Sequence, residues 1–177
     1  MSVAVWLLLA SSLATAQGGL ITREEALAAV FPGAQVEAER VFLTADQTHR
    51  AAVLAGGAAP PALVARYVAR RGREVVGRAY VDTHVVRTKR ESLLISLDSS
   101  GRVQRIDVTA FLEPPEYRAP ERWLQQYDQQ PLGDDLALQR AIRPIAGASL
   151  TAIAANAAVR RVLAIDQVLE TDRQVTR

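Results

Sequence analysis

The residues best placed to do chemistry lie in the run Arg143-Pro144-Ile145-Ala146-Gly147-Ala148-Ser149-Leu150-Thr151-Ala152, followed by alanine-rich helical sequence as far as Ile165. A tight turn through Gly147 that delivers the hydroxyls of Ser149 and Thr151 onto the first turn of a helix makes a seat for a phosphate. Unpaired backbone N–H groups and the positive end of the helix dipole converge there. A plainer reading stands beside it: a serine at a helix start is an N-cap that satisfies one free N–H. The local pattern leaves both open.

Gly147-Ala148-Ser149-Leu150-Thr151, with Ala157, Val159, Arg160, Arg161 and Leu163 on the helix behind it, resembles the carboxy-terminal signature of bacterial FMN-binding domains. That family includes the flavin-carrying periplasmic subunits of the sodium-translocating NADH:quinone oxidoreductase and of the Rnf electron-transport complex, and small stand-alone FMN-binding proteins. Its usual motif is Ser/Thr-Gly-Ala-Thr, whose last hydroxyl is joined to the FMN phosphate as an ester by a dedicated flavin transferase. Gly147 and Ala148 match directly. Ser149 stands where the family has the attachment threonine, Ala146 where it has the first hydroxyl residue, and Ile142 where it often has aspartate. Serine offers the same nucleophilic oxygen. The resemblance therefore implies FMN as cofactor, Ser149 as attachment point with Leu150 beside it, and Thr151 as a second hydroxyl that bonds the phosphate or takes the ester instead. It also implies two partners, a flavin transferase and a redox partner at the membrane.

Two further stretches carry groups that suit such a site. Asp82-Thr83-His84-Val85-Val86-Arg87-Thr88-Lys89 is the polar end of a strand, in which Arg87 and Lys89 can pair with phosphate, Thr88 can donate to it, and His84 shares strand parity with Asp82 and Val86. An ordinary solvated hairpin end has the same composition; the resemblance to stand-alone family members tips the reading toward a wall of the flavin site. Leu112-Glu113-Pro114-Pro115-Glu116-Tyr117 occupies the place of a Glu-Thr-Pro-Gly loop that lines the flavin pocket in the respiratory subunits, with Glu113 and Pro115 matching. Two prolines hold this loop in one shape. Glu113 and Glu116 as a catalytic carboxylate pair find no support elsewhere, and a solvated or Arg-paired role is expected.

The elements that must position these groups read as α+β, an antiparallel sheet flanked by helices. Thr22 with Glu25 and Thr44 with Gln47 are capping boxes that open two helices, the first stopped at Phe31-Pro32-Gly33 and the second ending near Leu54. Strands are expected over 36–43, 62–70, 74–86, 91–97 and 102–111, the last four joined by tight turns. Pro120 opens a short helix carrying Trp123 and Tyr127 on one face as core or pocket lid. His49 reads as a solvated helix-face residue. Gly56-Gly57-Ala58-Ala59-Pro60-Pro61 suggests a boundary. The expected organisation is a signal peptide over 1–16, a helix/strand subdomain over 17–59, an FMN-binding domain over 62–165 and a polar, frayed tail over 166–177.

Composition sets outer limits. The 177 residues are 49% hydrophobic but only 5% aromatic, so aliphatic side chains and alanine must fill the core. A formal charge of +2, spread along the chain, argues against nucleic acid as the partner. No cysteine is present and only two histidines, which excludes thiol chemistry and disfavours a metal centre. The apolar run to Ala10 followed by Ala14-Thr15-Ala16 has the pattern of a secretory signal cleaved after Ala16. The expected location is outside the cytoplasm, in the periplasm or another extracytoplasmic compartment, with association with the membrane left open. With these limits, the resemblance implies an exported FMN-binding electron carrier, or alternatively an exported binding module that keeps the fold without flavin. A hydrolase lacks a nucleophile–base–acid set.

Overall fold

Local sequence sets the ends of the elements. The computed structural model describes residues 20–57 and 59–175, and the expected export segment lies outside them. Thr22 and Thr44 each cap a helix in a reciprocal box, with Glu25 and Gln47 returning the bond to the cap backbone. The first helix, α1, spans Arg23–Val30, and the second, α2, spans Ala45–Ala55 and closes on Gly56 at φ +66°. Between and after them come β1 (Gln35–Phe42), β2 (Leu63–Arg71), β3 (Glu74–Val85), β4 (Arg90–Asp98) and β5 (Val103–Phe111). A short helix α3 (Glu121–Leu124) lies between 3-10 turns at Pro115–Tyr117 and Gln125–Tyr127, and α4 (Ser149–Val175) ends the described chain.

The five strands form one antiparallel sheet in the order β1-β2-β3-β4-β5. The α+β expectation holds. Residues on either side of the Gly56–Pro61 stretch belong to the same sheet, with Phe42 opposite Leu63 and Gln35 opposite Arg70, so the amino-terminal elements are not set apart from the rest. One face is covered by α2, α3 and α4, whose core includes Tyr80, Leu93, Ile95, Val159, Val162 and Leu163. The other face is covered over one half by α1, through Ala26, Leu27, Val30 and Phe31 against Ala69, Ala79 and Leu94. Gly77 lets α1 approach that closely: a β-carbon there would meet the Phe31 ring at 2.3 Å.

The expectation of a frayed tail beyond Ile165 is corrected. Helix α4 continues to Val175, with Asp166, Val168 and Leu169 buried. Polar letters in that stretch pair inward instead of facing water. Asp166 takes a two-point bond from Arg78 at 2.5 and 2.8 Å and a third from the Tyr80 hydroxyl at 2.8 Å. Glu170 and Glu39 bracket the fully buried Arg66 guanidinium, and Asp172 takes Arg50 and Gln47 from α2. By these contacts α4 runs obliquely over the sheet toward β1. No described helix is long and apolar enough to cross a membrane.

Removing one member of a buried ion pair strands its partner's charge. Asp166→Ala is expected to cost about 3–5 kcal/mol, read as a lower urea midpoint with an unchanged slope. A loss below 1 kcal/mol, roughly the value of an exposed pair, would mean that Arg78 finds water in the native state.

Candidate functional site

The turn before α4 is built as the sequence suggests, with one shift in register. Gly147 has φ +78° and the Ala148 N–H donates to the Ile145 carbonyl at 3.3 Å. The first helical bond runs from the Ala152 N–H to the Ala148 carbonyl at 3.1 Å, so Ala148 occupies the cap and Ser149 is the first residue inside the helix. The N–H groups of Ser149, Leu150 and Thr151 therefore have no acceptor within the helix. Ser149 and Leu150 are exposed, whereas Thr151 is 1% exposed and its hydroxyl donates to the Tyr117 carbonyl at 2.7 Å. Thr151 is thus engaged and buried, whereas the Ser149 hydroxyl makes no hydrogen bond among the described residues.

Tyr117 is the meeting point of the three predicted stretches. Its carbonyl receives Thr151 from α4, and its ring lies 5.1 Å from the Arg87 guanidinium carbon at the β3–β4 turn. The turn is closed by Val86 N–H to the Lys89 carbonyl at 3.0 Å and clamped by Glu113, which follows β5. One carboxylate oxygen of Glu113, Oε1, accepts the backbone N–H groups of Arg87, Thr88 and Lys89 at 3.1, 2.7 and 2.8 Å. The solvated or Arg-paired role expected for Glu113 is corrected: it is a buried carboxylate filling a nest of three amides. Those bonds, from Thr88 and Lys89 first, hold its pKa below the ordinary value. The amides of 87–89 are thus already engaged, and the Arg87 side chain is what this turn offers outward.

His84 is also engaged within the chain. Its Nδ1 lies 2.9 Å from Asp82 and its Nε2 3.0 Å from Glu91, and Asp82 in turn accepts both Nε and Nη2 of Arg161 on α4 at 2.7 and 2.9 Å. Burial disfavours the imidazolium, but hydrogen bonds to the two carboxylates outweigh it and raise the His84 pKa to about 9. Asp82 is held low against the same burial by His84 and Arg161. With both nitrogens occupied, His84 braces the strand end behind Arg87 and offers no donor to a ligand. Glu91 and Tyr117, the two partners missed by sequence reading, carry distinct signals. Glu91 faces His84 only through strand register, and Tyr117 is the last residue of the double-proline loop.

Trp123 and Tyr127 pack edge to face at 5.6 Å between centroids; the indole N–H donates to the Arg143 carbonyl at 2.6 Å, and Asn156 donates to the Tyr127 hydroxyl. They are core residues, and His49 is exposed on α2 as expected. A cleft of about 1040 Å³ runs beside β5 and is lined by Ile21, Asp107, Pro115, Arg118 and Leu124, which brackets Tyr117 on both sides in the chain. A shallower hollow of about 520 Å³ is lined by Trp123, Arg143 and Pro144. A third, of about 330 Å³, lies between Gly56, Leu138, Ile153 and Arg161. Ser149 lines none of these three. No group of histidine and carboxylate side chains among the described residues is arranged to hold a metal ion.

Neither a known protein family, nor a curated protein, nor a solved structure matches the chain.

Two measurements test this geometry. Because the folded pKa of His84 lies above the ordinary 6.5, its contribution is complete below pH ~6.5 and is lost as pH rises through ~9. The wild type should lose on the order of 3 kcal/mol across that interval relative to His84→Gln, seen as converging urea midpoints. Separately, hydrogen exchange should find the 87–89 amides protected in the wild type and fast in Glu113→Ala, with that protection persisting in the wild type to pH below the ordinary glutamate range.

Proposed function

We propose that this protein binds FMN through its phosphate at the first turn of α4, as an ester on Ser149, and serves as an exported electron carrier. The single observation that carries the reading is the convergence at Tyr117. Segments distant in sequence, the β3–β4 turn, the double-proline loop and the start of α4, are tied together through Tyr117; the first carries the Arg87 guanidinium, and the last carries an exposed serine hydroxyl and three amides with no helical acceptor. This set suits a phosphate: the helix end and its amides favour an anion, and Arg87 supplies a charge-assisted donor. The cleft beside β5, adjoining Tyr117 in the chain, is of the size that small-molecule sites have.

FMN, when bound, supplies the redox chemistry, and the protein supplies binding and orientation. Ester formation replaces the Ser149 O–H by an O–P bond, so the proton must leave and the phosphorus must shed a group. The fitting donor is a flavin nucleotide activated as a diphosphate, delivered by a flavin transferase. Gly147 gives the turn its left-handed residue, Thr151 pins the helix to the loop beneath Arg87, and Glu113 holds the turn that carries Arg87.

A specific observation favours a second reading, a flavin-free exported binding module. The 87–89 amides and both His84 nitrogens are saturated by the chain's own carboxylates, which leaves fewer donors for a ligand than the sequence suggests.

Co-expression with a flavin transferase separates the two. Acid-precipitated protein should be yellow and carry the mass of one esterified FMN, and Ser149→Ala should lose both while Thr151→Val keeps the mass at lower stability. Retention of the mass in Ser149→Ala, or its absence from the wild type, overturns the ester assignment.

A further inference from the structure

Strand parity sorts the charges of the sheet. On the α4 side, Glu39, Asp82 and Glu91 point inward and are taken by Arg66, Arg161 and His84. On the opposite side, α1 covers only the half around Ala69, Ala79 and Leu94. The other half is left uncovered by the described residues. Its side chains include Arg40, Phe42, Leu63, Thr83, Val85 and Arg90, all exposed; Glu39, Asp82 and Glu91 are turned to the α4 side, and Asp107, the carboxylate of β5 on the α1 side, is buried and taken by Arg105. Phe42 is 73% exposed and pairs directly with Leu63 at 48%; Val85 at 56% pairs directly with Arg90. Leu112, 59% exposed, bonds to the Arg90 carbonyl from the next strand.

In an antiparallel meander these positions fall at one end of the sheet, since β1, β3 and β5 finish there and β2 and β4 begin there. Lys89 and Arg90 sit at the same end, and with Arg40 they form no salt bridge among the described residues. None of the three cavities is lined by any of these residues.

We propose that this end of the sheet is a docking surface for an anionic lipid bilayer, with Phe42, Leu63, Val85 and Leu112 entering the headgroup boundary and Arg40, Lys89 and Arg90 contacting acidic headgroups. Charge selects the occupant. A second copy would set these cations against themselves, and a protein interface depletes unpaired charge from its centre. A lipid surface accepts apolar tips ringed by cations, whose stems lie along the apolar layer while their heads meet phosphate. This inference does not depend on the flavin reading, because the lipid test needs no cofactor.

Full-length protein is tested by co-sedimentation with vesicles of phosphatidylcholine alone and of phosphatidylcholine mixed with phosphatidylglycerol. Binding is expected only to the anionic vesicles and should weaken with salt. Lys89→Gln with Arg90→Gln should weaken it about thirty-fold, and Phe42→Ser with Val85→Ser should weaken it at unchanged melting temperature. Because the chain has no cysteine, Phe42→Cys can carry an environment-sensitive label, expected to shift to the blue on anionic vesicles, whereas Val53→Cys on α2 should not. Failure to bind either vesicle, binding indifferent to the apolar pair, or equal shifts at both labels overturns the proposal. Capture of an acidic soluble protein in place of vesicles also overturns it.

Discussion

The placement of α4 over the sheet rests on the pairing of Asp166 with Arg78 and Tyr80. Near its start the helix meets its neighbours through alanines, at Ala152, Ala155 and Ala158. A seam of methyl groups defines a close approach but gives little preference for one axial position over the next. Three directional bonds to one buried carboxylate do give that preference, because a shift by a single residue would leave Arg78, Tyr80 and Asp166 desolvated and unpaired at once. We read the ion pair as fixing register more than adding stability. At 1.5 Å per residue the helix is a rod of about 40 Å, so fixing its second half decides where its first turn lies.

That first turn is then locked from its own side. Thr151 is the point where α4 touches the loop after β5, and the loop touches the β3–β4 turn through Tyr117 and Glu113. Thr151 and Glu113, whose side chains make the hydrogen bonds in this series, are buried, so solvent competes weakly for those bonds. The two prolines before Glu116 restrict the loop's backbone, and Glu113 restricts the turn's. The proposed phosphate seat therefore stands on three elements whose relative positions are set before any ligand arrives, which is what limits the ordering cost of binding.

Much of this was legible in the letters. Capping boxes at Thr22 and Thr44, hairpin turns at Gly72 and Gly101, and the strand-like runs of β2 to β5 are local signals, and each of these elements formed within a residue or two of its expected limits. Where the reading missed, the missing information was long-range. The stretch after Ile165 reads as polar because Asp166, Glu170 and Asp172 pair with Arg78, Arg66 and Arg50, far back in the chain. Glu113 reads as a surface acid for the same reason, since its ligands are amides that carry no sequence signature. Thr151 and Ser149 are both hydroxyl residues on one helical turn, and only the packing of Tyr117 distinguishes the engaged one from the free one. A rule of strand parity could have placed Glu91 opposite His84, given the tightness of the intervening turn.

The nest that holds Glu113 and the phosphate seat we propose at the start of α4 differ in one respect. The amide nest at 87–89 is complete, holding a carboxylate whose low pKa reflects how well it is satisfied. The amides at the start of α4 are not. An incoming phosphate would have to displace Glu113 from three bonds to use the nest, leaving a buried carboxylate beside a new dianion, whereas at α4 it would find donors without acceptors and the positive end of a long helix. On the proposed reading the same physics would direct a phosphate to the start of α4 in place of the nest, and Arg87, carried on the turn that Glu113 holds still, keeps an exposed side chain over the Tyr117 ring. The cofactor we propose changes charge on reduction and would best be held by groups that do not move when it does; the braced turn and the double-proline loop would provide such a frame.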